Sequence, residues 1–125
     1  WRCFLLSFAV LGLLTTCRPA NVLNIADYDL GTSKNATKED VSKAIVTAGA
    51  TLGWVIIRVR PGELKGTLRL RTHVAVVKIT HDTKMFSIKY KDSTNLNYDG
   101  TSIHSNYNGW VSRLAETIQI KTTAI

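Results

Sequence analysis

Val41, Ala44, Ile45, Ala48 and Leu52 recur at the 3.6-residue spacing of a helix with one buried face, which predicts a helix over residues 38–52. Thr37 stands where an N-cap belongs, and Asp40 sits in the first turn, near the positive end of the helix dipole. Gly49 and Ala50 thin the helix for close packing, and Gly53 ends it. The period then changes. Trp54 to Arg60 is β-rich and Pro61-Gly62 is a turn signal. From Leu64 to Thr80 the apolar parity flips midway: Leu64, Leu68 and Leu70 are even-numbered, whereas Ala75, Val77 and Ile79 are odd. A one-residue slip turns every side chain over, so the pattern requires a bulge or a break near Arg71-Thr72-His73. One long bulged strand is the preferred reading, and two separate strands are the alternative. His81 to Lys84 makes the next turn, after which Phe86, Ile88 and Tyr90 alternate with Ser87, Lys89 and Lys91.

After a polar, turn-rich stretch from Asp92 to Ser102, Ile103, Tyr107, Trp110, Val111, Leu114 and Ile118 mark a second amphipathic helix, capped by Thr101 or Ser102. The expected fold is α+β: two helices on one face of a three- or four-stranded antiparallel meander, in the order helix, strands, helix. It occupies residues 37–125 as one domain.

The chain opens differently. Phe4 to Leu14 is apolar nearly all round and too short to span a hydrocarbon core, which takes about 20 residues. With Arg2 before it and small residues after it, the run has the form of a secretory signal over residues 1–16. Leu14-Thr15-Thr16-Cys17 resembles the bacterial lipobox, a Leu and two small residues before a cysteine. Thr16 departs from the usual Gly, Ala or Ser, which leaves an ordinary secretory signal as the alternative. The resemblance implies a palmitate-type lipid on Cys17, with Arg18 compatible with sorting to the outer membrane. Residues 17–36 then read as lipidated cysteine and tether, rich in Pro, Gly, Asn and Ser, with Val22, Leu23 and Ile25 allowing a short strand.

Charge changes the picture most on the strands. The whole chain carries 16 Lys/Arg against nine Asp/Glu, a formal net charge of +7, which favours anionic partners. Segments 54–60, 64–80 and 85–91 contain Arg58, Arg60, Lys65, Arg69, Arg71, Lys78, Lys89 and Lys91 and no carboxylate. If Val55, Ile57 and Val59 face the helices with the other alternating apolar residues, all eight cations project from the opposite face. Such a face suits anionic lipid, cell-wall glycan or an acidic envelope protein. The plainer reading is a solvated face that discourages edge pairing. Nucleic acid is not expected, because single-strand binders need exposed aromatics for stacking, and only Trp54 could lie on that face.

R-T-H-V-A-V-V-K-I, Y-K-D-S-T-N-L-N-Y-D-G and I-H-S-N-Y-N-G-W-V look like strings from a family of small bacterial lipoproteins of unassigned function, over residues 40–118. The resemblance implies envelope location and a single α+β domain, and supplies no catalytic residues. Read from the residues, Tyr90 to Trp110 is a rigid loop pinned to the second helix. A sharper alternative is a pocket in which Tyr98, His104, Asn106 and Asn108 hold a sugar or peptide fragment.

His73, His81 and His104 show no metal-ligand spacing, and no nucleophile motif is present, so neither a metal, a cofactor nor an enzyme is expected. The expectation is a lipid-anchored, non-enzymatic binding module of the cell envelope, probing the periplasm from the outer membrane. A periplasmic small-ligand binder is the alternative, and a weak hydrolase the third.

Overall fold

The computed structural model describes residues 19–125. The segment 1–16 expected to be a secretory signal, Cys17 and Arg18 lie outside the described residues. Nine elements follow in order: β1 (Pro19–Asn21), β2 (Ile25–Asp29), α1 (Lys38–Thr51), β3 (Trp54–Arg60), β4 (Glu63–Leu70), β5 (His73–His81), β6 (Met85–Thr94), β7 (Ser102–His104) and α2 (Ser105–Thr122). The class is α+β, with two helices, a five-stranded antiparallel sheet ordered β2-β6-β5-β4-β3, and a two-stranded sheet of β1 and β7. Strands therefore precede α1 as well as follow it, which departs from the expected helix-strands-helix order.

α1 begins as its sequence indicates. Thr37 accepts from the Asp40 backbone N–H and Asp40 accepts from that of Thr37, so two orphan donors are satisfied reciprocally. The Thr37 backbone N–H, and after it the Thr37 side chain, hold the Asp40 carboxyl below its ordinary pKa. At the other end Gly53 adopts φ 91°, which lets the chain turn directly into β3.

Residues 64–80 are two strands, not one. β4 and β5 form a hairpin with Leu70 opposite His73 and Arg71-Thr72 as the loop. Pairing runs Leu68 to Ala75, Gly66 to Val77 and Leu64 to Ile79, so even residues of one strand share a face with odd residues of the next. The parity flip is the signature of this two-residue loop. Arg71 occupies the left-handed region at φ 59°, where the first loop residue of a tight hairpin commonly needs a positive φ and glycine is the usual choice.

On β3 the buried side is the opposite of the one expected. Trp54 and Ile56 enter the core, whereas Val55, Ile57 and Val59 are exposed. Close packing decides it. A Cβ at Gly49 would meet the Ile56 side chain at 2.3 Å, and one at Gly66 would meet Trp54 at 3.3 Å, so these two glycines form the slot that Trp54 and Ile56 fill. Val41, Ile45 and Ala48 of α1 and Tyr107, Val111, Leu114 and Ile118 of α2 join them in one core with Leu64, Leu68, Ala75, Val77, Ile79, Phe86 and Ile88.

Much of the expected tether is part of the fold. β1 pairs with β7, β2 pairs with β6, and Leu30 is fully buried. Polar residues of α2 grip this segment's backbone: Asn108 bonds Leu23 N and Asn21 O, Gln119 donates to Asp29 O, and Thr122 donates to Leu30 O. Because Ser102–His104 is spent on pairing with Pro19–Asn21, the cap of α2 is neither Thr101 nor Ser102 but His104, whose Nδ1 accepts from Asn106 N.

Candidate functional site

The face of the sheet turned away from the helices is built by cross-strand register. Lys65 of β4 lies opposite Lys78 of β5, and Lys78 lies opposite Lys89 of β6. Ile57 of β3 completes the row beside Lys65. With strands about 4.8 Å apart, three ammonium groups are carried in consecutive positions over roughly 10 Å. Among the described residues none of the three makes an ion pair. Val55, Thr67 and Val76 form the next row, which ends at Asp92. Arg69, opposite Val74, extends the positive surface toward the hairpin tip.

The other basic residues go elsewhere. Arg58 shares the parity of Trp54 and Ile56, and at the rim of the core it reaches Glu39 of α1 at 2.7 Å. Arg60 pairs with Glu63, a carboxylate that the true start of β4 brings onto the sheet. Arg71 is in the hairpin loop, and Lys91 falls at the irregularity between Tyr90 and Asp92 where the β5–β6 register shifts. Four of the eight therefore share one surface: Lys65, Arg69, Lys78 and Lys89. The expected carboxylate-free face of eight cations is narrower, and it includes Glu63 and Asp92.

Like charges directly opposite one another destabilise a sheet. Two unit charges about 8 Å apart in water repel by about 0.5 kcal/mol, and more beside a low-dielectric surface. The familiar use of lysine on sheets is to block edge pairing. Here β4, β5 and β6 are the three interior strands, and the edge strand β3 contributes Ile57 to the same row. Edge protection does not account for the row. An anion lying across the three strands would offset the repulsion and gain three charge-assisted contacts.

Tyr98, His104, Asn106 and Asn108 are employed separately. Tyr98 stacks on Tyr90 with ring centroids 4.0 Å apart, and its hydroxyl donates to Gly100 O. His104 caps α2, and both ends of the Asn108 amide hold the β1–β2 segment. Asn106 is exposed and supplies only its backbone N–H to the cap. The structure gives each a local structural partner rather than bringing the four around one ligand. His73 and His104 do approach, at 6.4 Å between ring centroids, with Trp110 at 6.3 Å from His73. His73 Nδ1 lies 2.7 Å from Asn95 O and is bonded to it. No group of three or more His, Cys, Asp or Glu residues placed to hold a metal occurs among the described residues.

One contact was not visible in the sequence. Ser42 of α1 and His81 of β5, both buried, meet at 2.8 Å between Oγ and Nε2. His81 Nδ1 is 3.0 Å from Asp82 O, which assigns the proton to Nδ1 and leaves Nε2 to accept from the hydroxyl. Burial pushes the His81 pKa down. A hydroxyl beside an oriented imidazole has the outline of a nucleophile and base. Both are shut in the core, so the pair works as a polar tie between helix and sheet. Residues 39 positions apart carry no spacing signal that could have announced it.

Compared with known proteins, the chain matches no family model, no curated protein and no solved structure.

Proposed function

We propose that this chain is a lipid-anchored, non-enzymatic binding module of the bacterial envelope whose open sheet face holds an anionic partner. The observation that carries the reading is the in-register row Lys65, Lys78 and Lys89 on interior strands. It fits an extended anionic group, such as a polyanionic glycan, a headgroup array or an acidic protein segment, laid across the strands. Arg69 adds charge at one side, and the half-buried Val74 and Val76 give the row an apolar border.

The address is proposed from the lipobox-like run ending at Cys17, which belongs to an outer-membrane lipoprotein facing the periplasm. Since β1 starts at Pro19, only about 7 Å of extended chain would separate the acylated residue from the folded domain. The anchor would then hold the domain close to the bilayer instead of on a long leash. The small-ligand reading of the Tyr98 to Asn108 region is not favoured, because the side chains of Tyr98, His104 and Asn108 are each bonded to a separate part of the fold.

Amine-reactive crosslinking in intact cells, followed by peptide mapping, tests the proposal. Adducts are expected to concentrate at Lys65, Lys78 and Lys89. Adducts spread evenly over every exposed lysine, Lys34, Lys43 and Lys84 included, would overturn it.

A further inference from the structure

The two edges of the five-stranded sheet are built differently. β2, at one edge, has five residues, a register shift between Ile25 and Tyr28, Asp27 at φ 52°, and a second carboxylate at Asp29. Irregularity, shortness and charge are the devices by which sheets refuse further strands. β3, at the other edge, has seven residues and pairs regularly with β4 from Trp54 to Arg58. Its far side presents backbone N–H and C=O groups with no neighbouring strand among the described residues. Its outer face shows Val55, Ile57 and Val59, exposed by 66%, 49% and 46%.

The arginines on β3 do not defend it. Arg58 is bonded to Glu39 and Arg60 to Glu63, so both charges are met within the chain. What remains along the edge is a neutral, β-branched ridge beside open hydrogen-bonding groups. We infer that β3 pairs antiparallel with β3 of a second copy, about a two-fold axis at Ile57. The strand is self-complementary about that point. Ile57 meets Ile57 of the partner subunit, and Val55 meets Val59 of the partner subunit. Six β-branched side chains then form one apolar stripe on the outer face, of the kind that cross-strand β-branched pairs stabilise.

The interface is isologous, so it closes at two copies and leaves the blunted β2 edges outermost. It produces one ten-stranded sheet. Lys65 is one strand in from β3, so the two lysine rows come onto a common face, with about 14 Å between the two Lys65 positions. The inference does not rest on the anionic reading, because the edge geometry stands without any ligand.

Register-specific crosslinking decides it. In antiparallel pairs, directly opposite Cα atoms lie about 4.5–5.5 Å apart, within disulfide range. The full chain carrying Ile57→Cys, oxidised in membranes, should give disulfide-linked dimer several-fold above the unaltered chain, whose own cysteines set the background. Met85→Cys, exposed on β6, controls for collision. Ile57→Lys, which sets two like charges face to face, should convert the detergent-solubilised chain to monomer by sedimentation. Dimer yield from Ile57→Cys no higher than from Met85→Cys, or an Ile57→Lys chain that sediments as the unaltered one does, would overturn the inference.

Discussion

Tyr107 is fully buried on α2, and its hydroxyl has no hydrogen-bond partner among the described residues. Burial pushes its pKa far above that of free tyrosine. An unsatisfied buried polar group costs about 1–3 kcal/mol, so Tyr107→Phe should stabilise the domain by about 1 kcal/mol or more in urea unfolding. A loss of stability would show that the hydroxyl is bonded. Arg71 gives a second test at this scale. A left-handed L-residue costs roughly 1–2 kcal/mol, and glycine removes the steric term. Arg71→Gly should therefore leave stability unchanged or raise it by up to about 1 kcal/mol. A fall of more than that would mean the arginine side chain holds the hairpin. Arg71 also shows where sequence reading stops. The parity flip in residues 64–80 was visible, but a bulge and a two-residue hairpin both produce it, and a glycine at 71 would have chosen between them. On β3 both parities carry large apolar residues, so alternation could not choose a face. The choice was made by Gly49 and Gly66, whose missing side chains matter only after folding brings them beneath Ile56 and Trp54.

At the scale of elements, α1 is tied to β5 by Ser42 and His81, and that tie responds to pH. Burial lowers the His81 pKa below its unfolded value near 6.5, so the unfolded chain binds the proton more readily. Its contribution is full above the unfolded pKa and is lost as pH falls through the folded one. Urea midpoints should fall from about pH 6.5 downward, and His81→Gln should flatten that part of the profile. An unchanged slope in the variant would exclude His81 as the source. The carboxylates act lower: Asp40, Asp82 and Asp99 are each held below the ordinary range by backbone N–H groups, of Thr37, Met85 and Ser102 first, so their loss begins only near pH 4. The first strands depend on α2 in turn. Asn108→Ala removes two bonds to the β1–β2 segment, worth about 0.5–1.5 kcal/mol each. Faster hydrogen exchange at Leu23 N–H, with the β4–β5 ladder unchanged, is the expected result. The helices were legible from their sustained period and 54–60, 64–80 and 85–91 as strand regions, but the split of 64–80 into β4 and β5 and the buried face of β3 were not. β1 and β7 were not legible, and β2 only as a short strand allowed near Ile25, because five or fewer residues hold no period and the paired residues are 56 to 85 positions apart.

For the whole molecule, one side of the sheet is sealed by two helices, and the other carries a row of three lysines with Glu63 and Asp92 in the neighbouring rows. That a positive face existed was readable from composition along the strands. Which cations belong to it depended on register: the two-residue hairpin aligns Lys65 with Lys78, and the β5–β6 pairing then aligns Lys89. Arg58 and Arg60 leave the set because Glu39 and Glu63 reach them. The central claim is that position, not net charge, makes the binding surface. The direct measurement compares two full-length variants of equal charge loss for retention on polyanionic vesicles and glycan across a salt series. Lys65, Lys78 and Lys89 changed together to Gln should weaken binding and lower the salt slope by about three, one for each lost phosphate-like contact. Arg58, Arg60 and Arg71 changed together to Gln should leave both close to the unaltered chain. Equal weakening by the two variants, or none by the first, would contradict the account.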